Sequence, residues 1–330
     1  MGAYMMRPDK LDIAILGELR NNCRTTYNDI ALKVGSNINT VAARIKKLEK
    51  DSFISGYATH IDYDKVGFDA SAVLNLRLKS GNYLNAEALH GITSMPEVVM
   101  LCGLTGKHSL GLILRTRGFE DLIIKMADIG KEKCIETFET EMLIKEYKSY
   151  EEFNPFSQDK RKRGSPVPRR KPISELDLGI LREIRYGANK PLRELSAVLD
   201  APISTIKERM DRMEQEGIIK GYVADVNFPK LGYWGFGGVS IKLKGDKIND
   251  ESVVRQLLEI PEVAGMYRTM GFFDLYAGVL TTGVDHTLQI LKKISTNSGV
   301  QKVETRIALT EFKSFMQYNP LSSFRMEHER

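Results

Sequence analysis

Two hydrophobic periods alternate along the chain, and the switch between them happens twice. Leu11, Ile15, Leu16 and Leu19 recur at the spacing of an amphipathic helix, with Asp9 placed to cap it. A second short helix is predicted from about Tyr27 to Val34, capped by Thr26, with Ile30, Ala31 and Val34 turned inward. Gly35-Ser36-Asn37 then makes a tight turn, and Ile38, Val41, Ile45 and Leu48 form the predicted buried stripe of a third helix. Helix, helix, short glycine-containing turn and helix is the helix-turn-helix arrangement. From Tyr57 the apolar period drops to two. Alternating stretches at about 57–62 and 68–79 precede a predicted helix near 83–93, strands near 97–104 and 110–116, a helix at 119–130 and a strand at 137–147. Phe119, Leu122, Ile123 and Met126 mark the second of those helices. Strand–helix–strand–strand–helix–strand predicts a ferredoxin-like sheet with helices on one face and the other face bare.

The whole pattern then repeats. Thr205 follows Thr40 by 165 residues, half of the 330 in the chain. At that offset Leu11-Asp12 matches Leu176-Asp177, Gly56-Tyr57 matches Gly221-Tyr222, Pro96-Glu97-Val98 matches Pro261-Glu262-Val263, and Asn154-Pro155 matches Asn319-Pro320. No insertion or deletion is needed, so the chain reads as two fused copies of one architecture. Ser174 with Asp177 forms a predicted capping box in the second copy. Its later helices carry Val253, Leu257 and Leu258, then Leu288, Leu291 and Ile294. The expected fold class is α+β: two winged-type, three-helix helix-turn-helix domains (1–56 and 173–221) and two ferredoxin-like βαββαβ domains (57–156 and 222–330) in tandem. Between the copies, residues 157–172 hold seven Lys/Arg between Lys160 and Lys171 without one acid among them, along with Pro, Ser and Gly, which predicts a basic linker. Fully extended, it spans roughly 50 Å.

Composition narrows the class only modestly. Charged residues make up 28% and hydrophobic residues 42%, the balance of a globular protein, and the net charge is a mild +5. No apolar run is long enough to span a bilayer and the first residues lack a signal-peptide core, so no membrane association is expected. The cysteines, Cys23, Cys102 and Cys134, are odd in number and widely spaced, which fits a reducing cytoplasm better than a disulfide framework or a zinc site. His108 reads as a lone surface histidine on a hairpin, and Gly235-Phe236-Gly237-Gly238 as a strand packed closely rather than a phosphate loop. With no nucleophile–base pair, nucleotide motif or metal cluster, no catalytic, cofactor or metal site is predicted, and the chain is not expected to be an enzyme.

Thr40, Val41, Arg44, Ile45, Leu48, Glu49, Ile54, Gly56 and Tyr57 spell a helix-turn-helix ending, and Thr205, Ile206, Arg209, Met210, Met213, Glu214, Ile219, Gly221 and Tyr222 repeat it. Followed by a ferredoxin-like domain with a Gly-x-x-Asp-Leu hairpin, this pattern resembles the leucine-responsive/AsnC family of transcriptional regulators. The resemblance implies a sequence-specific regulator of double-stranded DNA, an amino-acid effector and a homo-oligomer built through the ferredoxin-like domains. Members usually carry one such unit per chain, so this chain looks like a fused dimer whose bare sheet faces pair.

Several residues are candidates for the work. The exposed face of the third helix is expected to carry Asn39, Thr40, Ala43, Arg44 and Lys47. Asn can read adenine and Arg guanine in the major groove, while Lys46, Lys47 and Lys50 would meet phosphates. The second copy offers Ser204, Thr205, Arg209 and Arg212, but there four acids outnumber three bases over 203–216, and Pro202 stands where Asn37 caps copy one. Copy one is therefore expected to dominate DNA affinity. The resemblance places an effector pocket at the hairpin, with Gly271 and Asp274 in copy two and Gly106 and Ser109 in copy one. A serine hydroxyl suits an α-ammonium group less well than a carboxylate does. Two rivals stand beside this reading. One is an effector sensor that no longer binds DNA. The other is an enzyme of the siroheme decarboxylase kind, which shares this fold in paired units but whose resemblance lies in an Arg- and His-rich hairpin region. Here that region reads LCGLTGKHSLGLILRT and YRTMGFFDLYAGVL.

Overall fold

The computed structural model describes residues 8–79, 85, 87–156, 172–233 and 235–322. In copy one, α1 (Lys10–Asn21), α2 (Tyr27–Lys33) and α3 (Ile38–Lys50) precede β1 (Ile54–Ile61), followed by β2 (Ala70–Leu78), α4 (His90–Thr93), β3 (Val98–Leu104), β4 (Leu110–Thr116), α5 (Gly118–Gly130) and β5 (Ile135–Lys148). Copy two repeats the series as α6 (Glu175–Ile184), α7 (Leu192–Leu199), α8 (Ile203–Gln215), β6 (Ile219–Val226), β7 (Gly235–Leu243), α9 (Glu251–Leu258), β8 (Val263–Met270), β9 (Leu275–Thr281), α10 (Val284–Ser295) and β10 (Val300–Lys313). The basic linker, at 157–171, lies outside the described residues, as does part of the helix expected at 83–93, of which α4 is the described turn.

Two compact units result, and each draws on both copies. The helical unit comprises residues through Asp62 together with 154–233. Its local signals act as the sequence predicts. Asp9 and Asp12 form a reciprocal capping box on α1, Ser174 and Asp177 do the same on α6, and Asn37 caps α3 by accepting from Thr40 N at 2.8 Å. Val41, Ile45 and Leu48 are buried. Ile38 is not: it is the first residue of α3 and stays 48% exposed, a correction to the expected stripe. What joins the two helix-turn-helix copies is β1, which pairs antiparallel with β6. These strands were expected to open the ferredoxin-like domains; instead they belong to the helical unit.

Two arginines lock that junction. Arg20 is 1% exposed and donates to Ala224 O at 3.0 Å; Arg185 is 0% exposed and donates to Thr59 O at 2.9 Å. Both donor and acceptor positions are 165 apart, so each copy's first helix grips the other copy's strand in the same way. A buried guanidinium is tolerable only with such partners, and removing the strand contact would strand the charge.

The second unit, residues 63–153 and 234–323, is a closed eight-stranded barrel in the order β10-β3-β4-β2-β5-β8-β9-β7. Within it each copy contributes a ferredoxin-like sheet, β5-β2-β4-β3 and β10-β7-β9-β8, and closure comes from β5 pairing with β8 and β10 with β3. Pairing of the bare faces thus occurs inside one chain. Leu74, Leu76, Leu112 and Leu114 pack with Leu122 and Ile129 of α5, and Val239, Ile241, Leu275 and Ala277 with Ile290 and Ile294 of α10. Phe119, Ile123 and Leu288, expected on the buried faces, are instead 55%, 65% and 60% exposed. Strand alternation leaves the other sheet face for the barrel interior. That face is mixed: beside the apolar Met100, Leu104 and Ile113 it carries Asn75, Cys102, Glu141, Ser240, Tyr276 and Arg306, all but Arg306 buried.

Candidate nucleic-acid interface

The third helix of each helix-turn-helix copy presents an outer stripe at helical spacing. In α3 it is Asn39, Ala43, Lys46 and Lys50, all exposed. Among the described residues, neither Lys46 nor Lys50 makes an ion pair, so both ammonium groups are open to an incoming phosphate. Thr40 and Lys47 are half-buried beside the stripe. In α8 the same positions hold Ser204, Glu208, Asp211 and Gln215, also exposed, so the surface that is cationic in copy one is anionic in copy two. Thr205 is half-buried.

The arginines expected to contact DNA make ion pairs within the helical unit. Arg44 Nη1 lies 2.6 Å from Asp9 Oδ2 and 3.1 Å from Asp12 Oδ1, tying α3 to the capping box of α1. In copy two Arg209 Nη1 donates to Ser174 Oγ at 2.7 Å and to Asp177 Oδ1 at 3.2 Å, and Arg212 Nη2 sits 2.6 Å from Asp177 Oδ2. Asp177 is fully buried. Burial alone would raise its carboxyl, but hydrogen bonds from Ser174, Arg212 and Arg209 outweigh it and hold the group below its ordinary value. These arginines tie the third helix to the start of the first while keeping about a third of their side-chain surface exposed. Sequence spacing missed this because an arginine on a helix flank looks the same whether it faces solvent or a neighbouring helix start. The signal that was available is the repeated Asp12/Arg44 and Asp177/Arg209 pair at the common offset. Arg20 and Arg185, missed entirely, carried the same signal.

In the barrel unit the hairpin positions do matching structural jobs. Asp274 is buried; its carboxylate accepts from Leu243 N at 2.8 Å and from Lys242 Nζ at 3.1 Å. Ser109 Oγ accepts from Leu78 N at 3.2 Å, the same strand position one copy earlier. Both cap the end of a first sheet strand, and the Asp274 oxygens are already engaged. Gly106 and Gly271 supply the hairpin bends, Gly106 at φ +96°, a region costly for any residue with a Cβ. His108 corrects the surface reading: it is buried, 3.2 Å from Glu139, and its burial lowers the imidazole's affinity for a proton.

A winged helix-turn-helix DNA-binding family model matches residues 8–55 and again 173–220, and the Lrp/AsnC ligand-binding domain model matches 238–318. The regulatory protein AsnC of Escherichia coli is 33% identical over 138 residues, 90% of its length and 42% of this chain. The chain belongs to the Lrp/AsnC family. The HTH-type transcriptional regulator FL11 of Pyrococcus furiosus is 30% identical over 92% of its own length, again covering 43% of this chain. Each of these regulators thus corresponds to a single copy, and the tandem arrangement is two family units in one polypeptide.

Solved structures of one protein match this Lrp/AsnC chain across both copies. The siroheme decarboxylase NirDL superposes with a TM-score of 0.64 at 17% identity, over 93% of each chain. That match corrects the expectation that the chain is not an enzyme. The whole two-copy fold is shared with an enzyme, and the lack of an Arg/His-rich hairpin was too narrow a ground for setting that class aside. Among the described residues there is no cluster of metal-ligating side chains and no helix long and apolar enough to cross a membrane.

Proposed function

We propose that this chain is a DNA-binding transcriptional regulator of the Lrp/AsnC type, working in the cytoplasm, in which copy one provides most of the sequence-specific contact. The observation that carries the proposal is the open stripe Asn39, Lys46 and Lys50 on a capped helix whose flank is pinned by Arg44. In this reading Asn39 contacts a base edge and the lysines neutralise phosphates. Thr40 and Lys47 flank that surface, and Ser204 with Thr205 gives copy two a weaker, anionic-edged version of it. The resulting site is asymmetric, two unequal half-sites joined by the β1–β6 ribbon. The test is selection of bound fragments from random DNA, followed by anisotropy titration of the selected duplex. Selection of a palindrome, or no enrichment at all, would count against the proposal.

The ligand-binding domain of copy two supports an effector of amino-acid type as part of this reading. With Asp274 bonded to Leu243 N and Lys242, an α-ammonium group must displace Lys242 to reach it. Isothermal titration with the common amino acids, comparing the parent chain with Asp274→Asn, tests that requirement.

A second reading is favoured by the whole-chain likeness to NirDL: an enzyme acting on a siroheme-like substrate. An absorbance scan on adding siroheme distinguishes it, because bound tetrapyrrole shifts its own spectrum whereas a regulator leaves it unchanged.

A further inference from the structure

The barrel interior differs between copies in a way that a symmetric dimer could not. Glu141 on β5 and Arg306 on β10 are equivalent positions, 165 apart, and they meet. Arg306 Nη2 lies 3.5 Å from Glu141 Oε1, and Ser240 bridges them, donating to Glu141 Oε1 at 3.0 Å while accepting from Arg306 Nη1 at 2.8 Å. Both charged side chains are about nine-tenths buried. Pairing two copies of the first sheet would bring two carboxylates together at this point; pairing two of the second would bring two guanidinium groups together. Either buries like charges against each other.

Side-chain size also differs between the copies at equivalent positions. On the second sheet Tyr267 and Tyr276 sit directly opposite each other across β8 and β9, both 6% exposed. The equivalent cross-strand pair on the first sheet, between β3 and β4, is Cys102 and Gly111. Tyr276 lines a small cavity of about 10 Å³ together with Cys102, Gly111, Asn75, Gly238 and Arg306. Its ring leaves no room at Gly238, where an added Cβ would lie 2.7 Å from the phenol oxygen. Tyr276 thus covers Gly238 within the second sheet, whereas Leu104 covers Gly111 within the first, so the two sheets bring differently shaped surfaces to the shared cavity.

We infer that the two halves of this chain recognise each other and reject their own kind. A barrel formed within one chain, or by exchange between two chains, always joins one first-copy sheet to one second-copy sheet. Fusion has let the copies diverge into complementary partners, as selection against unwanted pairings requires.

Charge reversal in the full-length chain tests this. Glu141→Arg and Arg306→Glu, each alone, place like charges at the junction and should lower the folding equilibrium constant about 100-fold or more in urea titrations. Both substitutions in one chain should restore it to within about tenfold of the parent. The sharper arm mixes the two single variants. Both halves of each are complementary to the opposite halves of the other, so co-refolding should give a particle with one chain of each, seen by native mass spectrometry and absent when either refolds alone. If the single variants fail to fold, recovery in the double variant and in the mixture still decides. Parental stability in the single variants, or no recovery in the double variant and the mixture, overturns the inference.

Discussion

The two helix-turn-helix copies share a framework and differ at their outward surface. In both, an arginine on the third helix reaches back to the carboxylate that caps the first: Arg44 to Asp9 and Asp12, Arg209 to Ser174 and Asp177. In both, a glutamate near the end of that helix accepts from a tyrosine hydroxyl at 2.5 Å, Glu49 from Tyr57 and Glu214 from Tyr222. The stripe facing solvent is Asn39, Ala43, Lys46 and Lys50 in one copy and Ser204, Glu208, Asp211 and Gln215 in the other. Internal bonds were kept where they orient the helix, and surface charge diverged where a ligand would be met. Motif matching sees the first and is nearly blind to the second.

The largest effect that would break this comparison lies in the buried clasp. Asp177→Ala removes a fully buried carboxylate from two guanidinium groups and a cap. We expect a loss of about 2–3 kcal/mol in chemical unfolding, below the ~3–5 of a fully buried pair because both arginines keep about a third of their surface in water. Asp12→Ala should cost less, since Asp9 still holds Arg44. The same clasp sets a pH dependence. The folded carboxyl of Asp177 lies below its ordinary 3.8, so its stabilisation is complete above that value and is lost as pH falls through the folded one. Acid titration of the parent and Asp177→Asn should diverge at neutral pH and converge in acid.

A step smaller, Asn39→Ala should cost about 1–2 kcal/mol on the selected duplex, with Ser204→Ala costing less. Equal losses in the two copies would erase the proposed asymmetry. Arg44→Ala should act chiefly on thermal stability, and a loss confined to DNA affinity would return that residue to base reading.

Sharpening the comparison means converting one surface into the other. Glu208→Ala with Asp211→Lys gives α8 the central Ala and Lys of the α3 stripe. The new lysine can meet a phosphate, so DNA affinity should rise roughly fivefold, with the salt dependence steeper by up to ~0.9. Asn37→Ala, which deletes the cap that Pro202 never supplied, should cost about 1 kcal/mol of stability. If Asn37→Ala is neutral, the capping difference between the copies has no energetic meaning.

The two repeats, the helix-turn-helix spacing, the caps at Asp9, Thr26, Asn37 and Ser174 and the alternating strands were legible because each is a local pattern, set by residues within a turn or a pleat of each other. Family membership followed from those same patterns. The direction taken by Arg44 and Arg209, the burial of Arg20, Arg185 and His108, the exposure of Ile38, Phe119 and Ile123, and the engagement of Asp274 were not legible. Each depends on a neighbour from another element, and a periodic pattern specifies a face without saying what covers it. The same limit applies to the strands: β1 alternates like any other strand, and only its antiparallel partner β6 places it in the helical unit. By itself the sequence determined two copies of one fold with a basic helix in the first. Only the tertiary structure decided that the copies close one barrel around a Glu141–Arg306 contact, because hydrogen bonds and charge pairing across more than 100 residues depend on where the folded chain brings those atoms.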